Sequence, residues 1–271
     1  MITKHIVSTL AVLMLVASAC STVPLTGRKQ MNLLPEADLI QMGFASYAEF
    51  LKENPPSSDM VNSSMVREVG MNIVNSVNRY FEIHNLTSRL SGYEWEFTLV
   101  DQDVPNAWAM PGGKVVVYKG LLPLTLDRDG LAVVIGHEIA HVVARHGNER
   151  MSQGLLVQLG GIALSEAVKE KPEETQSIFL LAYGAGAQLG AILPYSRQHE
   201  KEADQLGLIF MSMAGYNPEK AVEFWERMTS MGGGERPPEF LSTHPSDESR
   251  IRAIRAFIPE AGRYSPGGDR G

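Results

Sequence analysis

His137, Glu138 and His141 fall in the run Gly136-His137-Glu138-Ile139-Ala140-His141, inside the apolar stretch Leu131 to Ala144. On an α-helix, residues four apart share a face, so both imidazoles can reach one metal ion while Glu138, one step round, faces the same pocket. Neutral imidazoles suit Zn²⁺, whose catalytic sites take three protein ligands and leave a fourth position for water. The metal lowers that water's pKa to about 7 and polarises a scissile carbonyl, and a carboxylate must accept the water's proton. Glu138 is the candidate general base. A pattern this short also arises by chance, but two histidines and a glutamate buried among Val133-Val134-Ile135, Ile139-Ala140 and Val142-Val143 without a partner would be strongly unfavourable. The residues outline a zinc hydrolase site.

Two histidines need a third ligand. Glu200 and Asp204 are four apart on a predicted helix, so one can bind the metal while the other orients a ligand histidine through a hydrogen bond. His199, Glu202, His146 and His244 are rivals, and Glu200 as a solvated charge is the bland alternative. A three-histidine protease pattern would need Gly at 144 and His at 147. The chain has Ala144 and Gly147, so His146 is read as closing the catalytic helix.

Taken together, the His-Glu-x-x-His run with Arg145-His146-Gly147, then Ser196-Arg197 before Glu200-Lys201-Glu202-Ala203-Asp204, then Thr243-His244-Pro245, resemble the gluzincin family that contains the CAAX prenyl protease, the membrane protease HtpX and the periplasmic lipoprotein BepA. The resemblance covers about Asn106 to Arg252. It implies that His137, His141 and Glu200 bind one zinc ion, that Glu138 is the base, and that Asp204 supports a ligand from behind. It further implies that Asn106, Ala107, Trp108 and Ala109 belong to an edge strand that pairs with an extended substrate backbone. His244 would lie near the metal, either donating to the tetrahedral oxyanion or occupying the open zinc position in a latent state; a turn histidine before Pro245 is the plainer alternative.

The elements that must position these residues follow from periodicity. Tyr93 to Val100 alternates aromatic or apolar with polar residues, as a strand does, and Asn106–Met110 and Lys114–Tyr118 flank the turn Pro111-Gly112-Gly113. From Asp127 the pattern becomes helical, with Gly147 as the expected stop. Pro35 to Lys52 and Asp59 to Tyr80 show helical spacing, with Val61, Met65, Val69 and Ile73 on one face of the second. Further helices are expected from His199 to Met213, from Pro218 to Met231 and from Pro245 to Ile258, with a flexible loop from Gly232. Gly154 to Val168 and Thr175 to Ser196 are apolar and rich in Gly and Ala. The first is shorter than the roughly twenty residues a membrane span needs, so both are read as closely packed buried helices, with a membrane hairpin or a bilayer-facing surface as the alternatives.

The fold class expected is therefore α+β, mainly α-helical: a zincin-like metalloprotease domain with a small, mostly antiparallel sheet preceding the His-Glu-x-x-His helix. A chain of 271 residues can bury a sizeable core. Its formal charge of −7, from 24 basic and 31 acidic residues, is spread without a basic cluster, which argues against nucleic acid as a partner. Residues 1–19 carry Lys4, the apolar run Ile6 to Val16 and the small residues Ala17-Ser18-Ala19, as a secretory signal does. Cys20 is the only cysteine, so no internal disulfide forms; the segment resembles a bacterial lipoprotein signal, although Ala17 stands where leucine is usual. The resemblance implies lipidation of Cys20 and a place at the periplasmic face of the outer membrane.

The expected organisation is a signal peptide at 1–19, a lipidated tether at 20–34, a metallopeptidase domain at 35–262 and a disordered tail at 263–271. The function read from these features is zinc-dependent endoproteolysis of misfolded or unassembled cell-envelope proteins, with envelope assembly machinery as a partner and the membrane contacted through the lipid. A latent, zinc-stabilised chaperone or scaffold that binds unfolded segments with little cleavage is the alternative.

Overall fold

The computed structural model describes residues 20–187, 193–231 and 239–267. The signal segment, the loop from Gly232 and the end of the expected tail lie outside them. The described chain is mainly helical, with small sheets of two and three strands, as the α+β reading expects. It divides into two compact units, one of residues up to Glu36 with Arg145–His199, the other of Ala37–Ala144 with Glu200 onward.

In the larger unit, α1 (Glu36–Glu53) and α2 (Met60–Ile83) precede a sheet of β3 (Glu96–Val100), β4 (Ala107–Met110) and β5 (Lys114–Tyr118). Asp59 caps α2 by accepting from the Asn62 N–H at 3.1 Å, one of the donors a helix start leaves unpaired. Its buried stripe begins at Val66 and continues through Val69, Ile73 and Val77, while Val61, expected on that face, is 80% exposed in the first turn. The sheet order is β3-β5-β4, with β5 parallel to β3 and antiparallel to β4. Gly112 and Gly113, at φ +89° and +95°, make the β4–β5 turn in a conformation only glycine adopts readily. The outer side of β3 is capped by Pro56 and Ser57, the Ser57 N–H donating to Leu99 O at 2.8 Å. Among the described residues no strand covers the outer side of β4.

After the short α3 (Leu122–Thr125), α4 (Arg128–Val143) is the central helix. Asp127 caps it, its Oδ1 accepting from the Gly130 N–H at 2.8 Å. Every residue from Gly130 to Val143 is buried, as expected of a helix apolar all round. The expected stop at Gly147 is corrected: the helix ends at Val143, Arg145 turns the chain with a left-handed φ of +59°, and His146 opens the next helix, α5 (His146–Val168), instead of closing α4. Beyond it, α7 (Leu193–Met213), α8 (Lys220–Met231), α9 (Glu239–Thr243) and α10 (Glu248–Gly262) complete the chain. Helices α4 and α7 cross at Gly136 and Gly207; a Cβ on Gly207 would lie 2.9 Å from the carbonyl carbon of Gly136 and the nitrogen of His137. Two glycines let these backbones approach, which brings Glu200 and Asp204 to His137.

In the smaller unit, residues 20–34 form an antiparallel ribbon of β1 (Cys20–Thr22) and β2 (Lys29–Met31), with β2 packed on α5 (His146–Val168). Glu149 holds Arg28 by two hydrogen bonds of 2.7 and 2.6 Å and lies 2.8 Å from His199 Nε2, whose ring stacks on that of His146. Helices α5 and α6 (Glu173–Ala187) form a hairpin, tied by Tyr183 Oη donating to Val157 O at 2.9 Å. They are not the buried helices expected: from Gly154 to Ala167 no residue of α5 is buried, and Ile162 and Leu181 are 60% and 74% exposed. No helix among the described residues is long and apolar enough to cross a membrane.

Candidate metal centre

His137 and His141 point from one face of α4, their Nε2 atoms 3.0 Å apart. Glu200 comes from α7, with Oε2 3.2 Å from His137 Nε2 and Oε1 3.3 Å from His141 Nε2. His244 follows α9, its N–H donating to Phe240 O at 2.8 Å, and sets Nδ1 3.0 Å from Glu200 Oε2 and 3.1 Å from His137 Nε2. All four residues are buried, and their donor atoms lie within 4.8 Å of one another.

Imidazole and carboxylate are the donors Zn²⁺ prefers, and a tetrahedron with Zn–N distances near 2.0–2.1 Å has edges of about 3.3 Å. The measured separations of 3.0–3.3 Å are close to that length, so the donor set fits zinc. Glu138 lies beside it, Oε1 3.3 Å from His244 Nε2.

A layer of charge stands behind these donor atoms. Asp204 Oδ1 lies 3.0 Å from His137 Nδ1, a contact that favours a proton on Nδ1 and leaves the Nε2 lone pair facing the other donors. Arg250, in the first turn of α10, grips Asp204 through Nε and Nη2 at 2.8 Å each, and its Nη1 lies 3.1 Å from Glu200 Oε2. Its guanidinium sits 3.7 Å from the centre of the Trp225 ring. Such planar, forked contacts suit arginine and not lysine.

These neighbours set the protonation. Burial alone would lower the pKa of His137, but hydrogen bonding to Asp204 and Glu200 outweighs it and raises the value to about 9. Burial pushes Glu200 the other way, yet the charge of His141 and bonds from the histidines hold it well below the usual carboxylate range. For Asp204 the opposing effects are burial, which raises the pKa, and Arg250 with His137, which lower it further.

The residues expected from sequence are thus brought together at His137, Glu138, His141, Glu200 and His244, with Asp204 behind. Ala107, Trp108 and Ala109 lie on β4, which packs on α4, and buried Asn106 immediately precedes them. Phe240 of α9 donates its N–H to Pro105 O at 3.3 Å, so the segment carrying His244 begins at the same end of β4. The rivals His146 and His199 pair elsewhere, near Glu149, and Glu202 is buried outside the donor cluster. Arg250 and Trp225 were not anticipated; an arginine and a tryptophan on separate amphipathic helices carry no local signal of meeting.

Residues 72–258 match the model of peptidase family M48, more than half of the chain. The mitochondrial metalloendopeptidase OMA1 of Schizosaccharomyces pombe is 41% identical over 175 residues, 64% of this chain and 50% of that protein. OMA1 of Saccharomyces cerevisiae is 34% identical over 214 residues, covering 76% and 58%. The beta-barrel assembly-enhancing protease of Escherichia coli is 26% identical over 264 residues, covering 93% and 52%. The chain spans about half the length of these curated relatives. They correct the expected location: the relatives of higher identity are mitochondrial, and the bacterial envelope is represented at 26%, so the outer-membrane placement and the lipid anchor at Cys20 are not upheld. The family itself is settled by the extent of the match: this chain belongs to peptidase family M48.

Proposed function

We propose that the chain is a zinc-dependent metalloendopeptidase acting on unfolded or misassembled protein segments, and that the arrangement described above is its resting, latent form. The observation that carries this reading is the closure of His137, His141, Glu200 and His244 on one another with Glu138 alongside. His137, His141 and Glu200 hold the ion. Zinc, when bound, polarises a peptide carbonyl and acidifies water.

The chain's own groups do the rest. Glu138 takes the proton of the attacking water on its carboxylate and passes it to the departing amide nitrogen. Asp204 keeps His137 oriented, and Arg250 keeps Asp204 fixed and ionised. The outer side of β4 offers an extended substrate a ladder of backbone hydrogen bonds, so recognition tolerates varied side chains. His244, as a fourth donor, keeps substrate out until the segment Glu239–His244 withdraws.

The same His244 contact favours a second reading, a scaffold that binds unfolded segments along β4 and rarely cleaves. Glu138 weighs against it, because a structural zinc closed by four ligands needs no carboxylate base beside them. The test is cleavage of an unfolded protein by the purified chain and by Glu138→Gln, with zinc supplied and then chelated. Cleavage by the wild type alone, abolished by chelation, is expected. Equal cleavage by both proteins would remove Glu138 from the mechanism, and absence of cleavage by zinc-loaded wild type and zinc-loaded His244→Ala alike would favour the scaffold.

A further inference from the structure

Away from the donor cluster, the ends of α2, α7 and α10 enclose a cavity of about 260 Å³ within the larger unit. Met213 on its wall stands thirteen residues beyond Glu200 on α7, about 20 Å along the helix, so the cavity is no extension of the metal centre. Tyr80, in the last turn of α2, lines it and is 3% exposed. Its ring is held by His84 at 4.3 Å and by Phe81 and Phe210, edge-on, at 6.0 and 5.7 Å between centroids. The Tyr80 hydroxyl has no hydrogen-bond partner among the described residues, although a buried phenol normally finds one. With the ring packed on the protein side, the cavity is where a partner for that hydroxyl can enter. We propose that the cavity binds one uncharged aromatic ring carrying a hydroxyl group, an inference independent of the peptidase reading.

The lining sets the ligand class. Ile83 and Met213 supply aliphatic and thioether surface, and Tyr80, His84 and Tyr264 supply rings, against which a flat aromatic group packs edge-on or offset. These walls are tied to the fold: the His84 N–H donates to Tyr80 O at 3.1 Å, and the Tyr264 N–H donates to Ala261 O at 3.0 Å. Two charges also line the cavity, but Arg263 Nη1 donates to Glu260 Oε2 at 3.1 Å, so neither a cation nor an anion gains an unshared partner. Burial, with Tyr264 nearby, pushes the Tyr80 pKa up to about 12, which keeps the hydroxyl neutral and able both to donate and to accept. A ligand that displaces solvent from this hydroxyl must replace the hydrogen bond, and a second hydroxyl does so. Pockets that engulf a drug-sized ligand measure about 300–1,000 Å³; this smaller one suits a single ring. The same chemistry occurs in a small free phenol and in the tyrosine side chain of a polypeptide.

The test follows the methionine methyl groups of the isotope-labelled, zinc-loaded full chain by NMR, with the Met213 signal assigned by its loss in Met213→Leu. Added p-cresol should shift that signal saturably and bind about 2- to 10-fold more tightly than toluene, the span of one neutral hydrogen bond. In Tyr80→Phe, which keeps the ring and removes only the hydroxyl, p-cresol should fall to the affinity of toluene while toluene is unchanged. Helical content and zinc content establish that the variant folds. The benzylammonium and benzoate ions should both bind more weakly than p-cresol. Binding of N-acetyltyrosine amide as tight as that of p-cresol would assign the site to a polypeptide side chain, and binding of p-cresol alone would assign it to a free small molecule. A Met213 signal indifferent to p-cresol would overturn the proposal, as would equal p-cresol affinity in wild type and Tyr80→Phe. Tighter binding of either ion would overturn the choice of an uncharged ligand.

Discussion

His244→Ala separates a blocking role for this residue from a catalytic one. In the resting arrangement the His244 ring bonds to Glu200 and His137 at 3.0 and 3.1 Å. Phe240, one turn earlier, stacks on Trp225 with ring centroids 5.7 Å apart. A hydrogen bond to a charged group contributes about 1.5–3 kcal/mol, and ordering α9 opposes part of that, so the closed form is favoured by about 3 kcal/mol. At 1.4 kcal/mol per tenfold, about one molecule in 150 is open at rest. Removing the ring should therefore raise kcat/KM on an unfolded protein by about two orders of magnitude and, because a donor is lost, weaken zinc binding by at least tenfold. The assay is initial cleavage rate at saturating zinc, with metal content measured on the same sample. If His244 instead donates to the oxyanion, the rate falls by about 100- to 1,000-fold. That fall, with zinc content unchanged, would refute the latency argument.

Zinc affinity, measured by competition with a chelator, should rise about tenfold per pH unit from pH 7 and level off near 9, because the metal displaces the proton that His137 holds with a pKa of about 9; in Asp204→Asn the plateau should come at lower pH, and an unshifted plateau would sink this account. Gly207→Ala should cost about 1–3 kcal/mol in urea unfolding and reduce zinc affinity, since its Cβ must push α7 away from the Gly136–His137 backbone, 2.9 Å distant; an unchanged midpoint would show the crossing to be looser than described. Arg28 and His199 hold Glu149, against the upward push of burial, at a pKa of about 2. A folded-state pKa below the unfolded one stabilises above the unfolded value and is lost as pH falls, here between about 4.5 and 2, for about 2–3 kcal/mol. Hydrogen-exchange protection of α5 should fall over that range in the wild type, and Glu149→Gln should already lack it at pH 7.

How much of this was legible depends on whether the information is local. His137, Glu138 and His141 show because a helix repeats every 3.6 residues and all three lie on one helix. Glu200 and Asp204 share another helix, so their spacing was visible, but only resemblance chose the ligand from the pair. Arg250 and Trp225 stayed invisible because their roles arise where α7, α8 and α10 meet. Alternation identified the strands without saying which ones pair, so the parallel match of Glu96–Val100 with Lys114–Tyr118 could not be read. Val61 shares the helical phase of Met65, Val69 and Ile73, yet it lies in the first turn of α2, exposed, ahead of Val66 where the buried stripe begins. The Gly- and Ala-rich composition of α5 and α6 reads as buried packing, yet the helices are exposed, because composition alone does not say what lies against an apolar helix.

Charge balance explains why this centre needs so deep a layer of support. Glu200 and Asp204 are held ionised while each is less than a tenth exposed, and two uncompensated carboxylates there would be severely destabilising. Arg250 supplies one positive charge, and it is fixed by Asp204, Glu200 and the Trp225 face. The rest comes from protonated histidine: His141 beside Glu200, and His137, whose proton the two carboxylates hold with a pKa of about 9. Zinc would displace these protons and bring two charges of its own, and Glu138 stands beside the donors, its Oε1 3.3 Å from His244 Nε2, where a carboxylate's charge favours the ion. Glu138→Gln, which cannot supply that charge, should bind zinc more weakly than Glu138→Asp, a difference readable without any substrate.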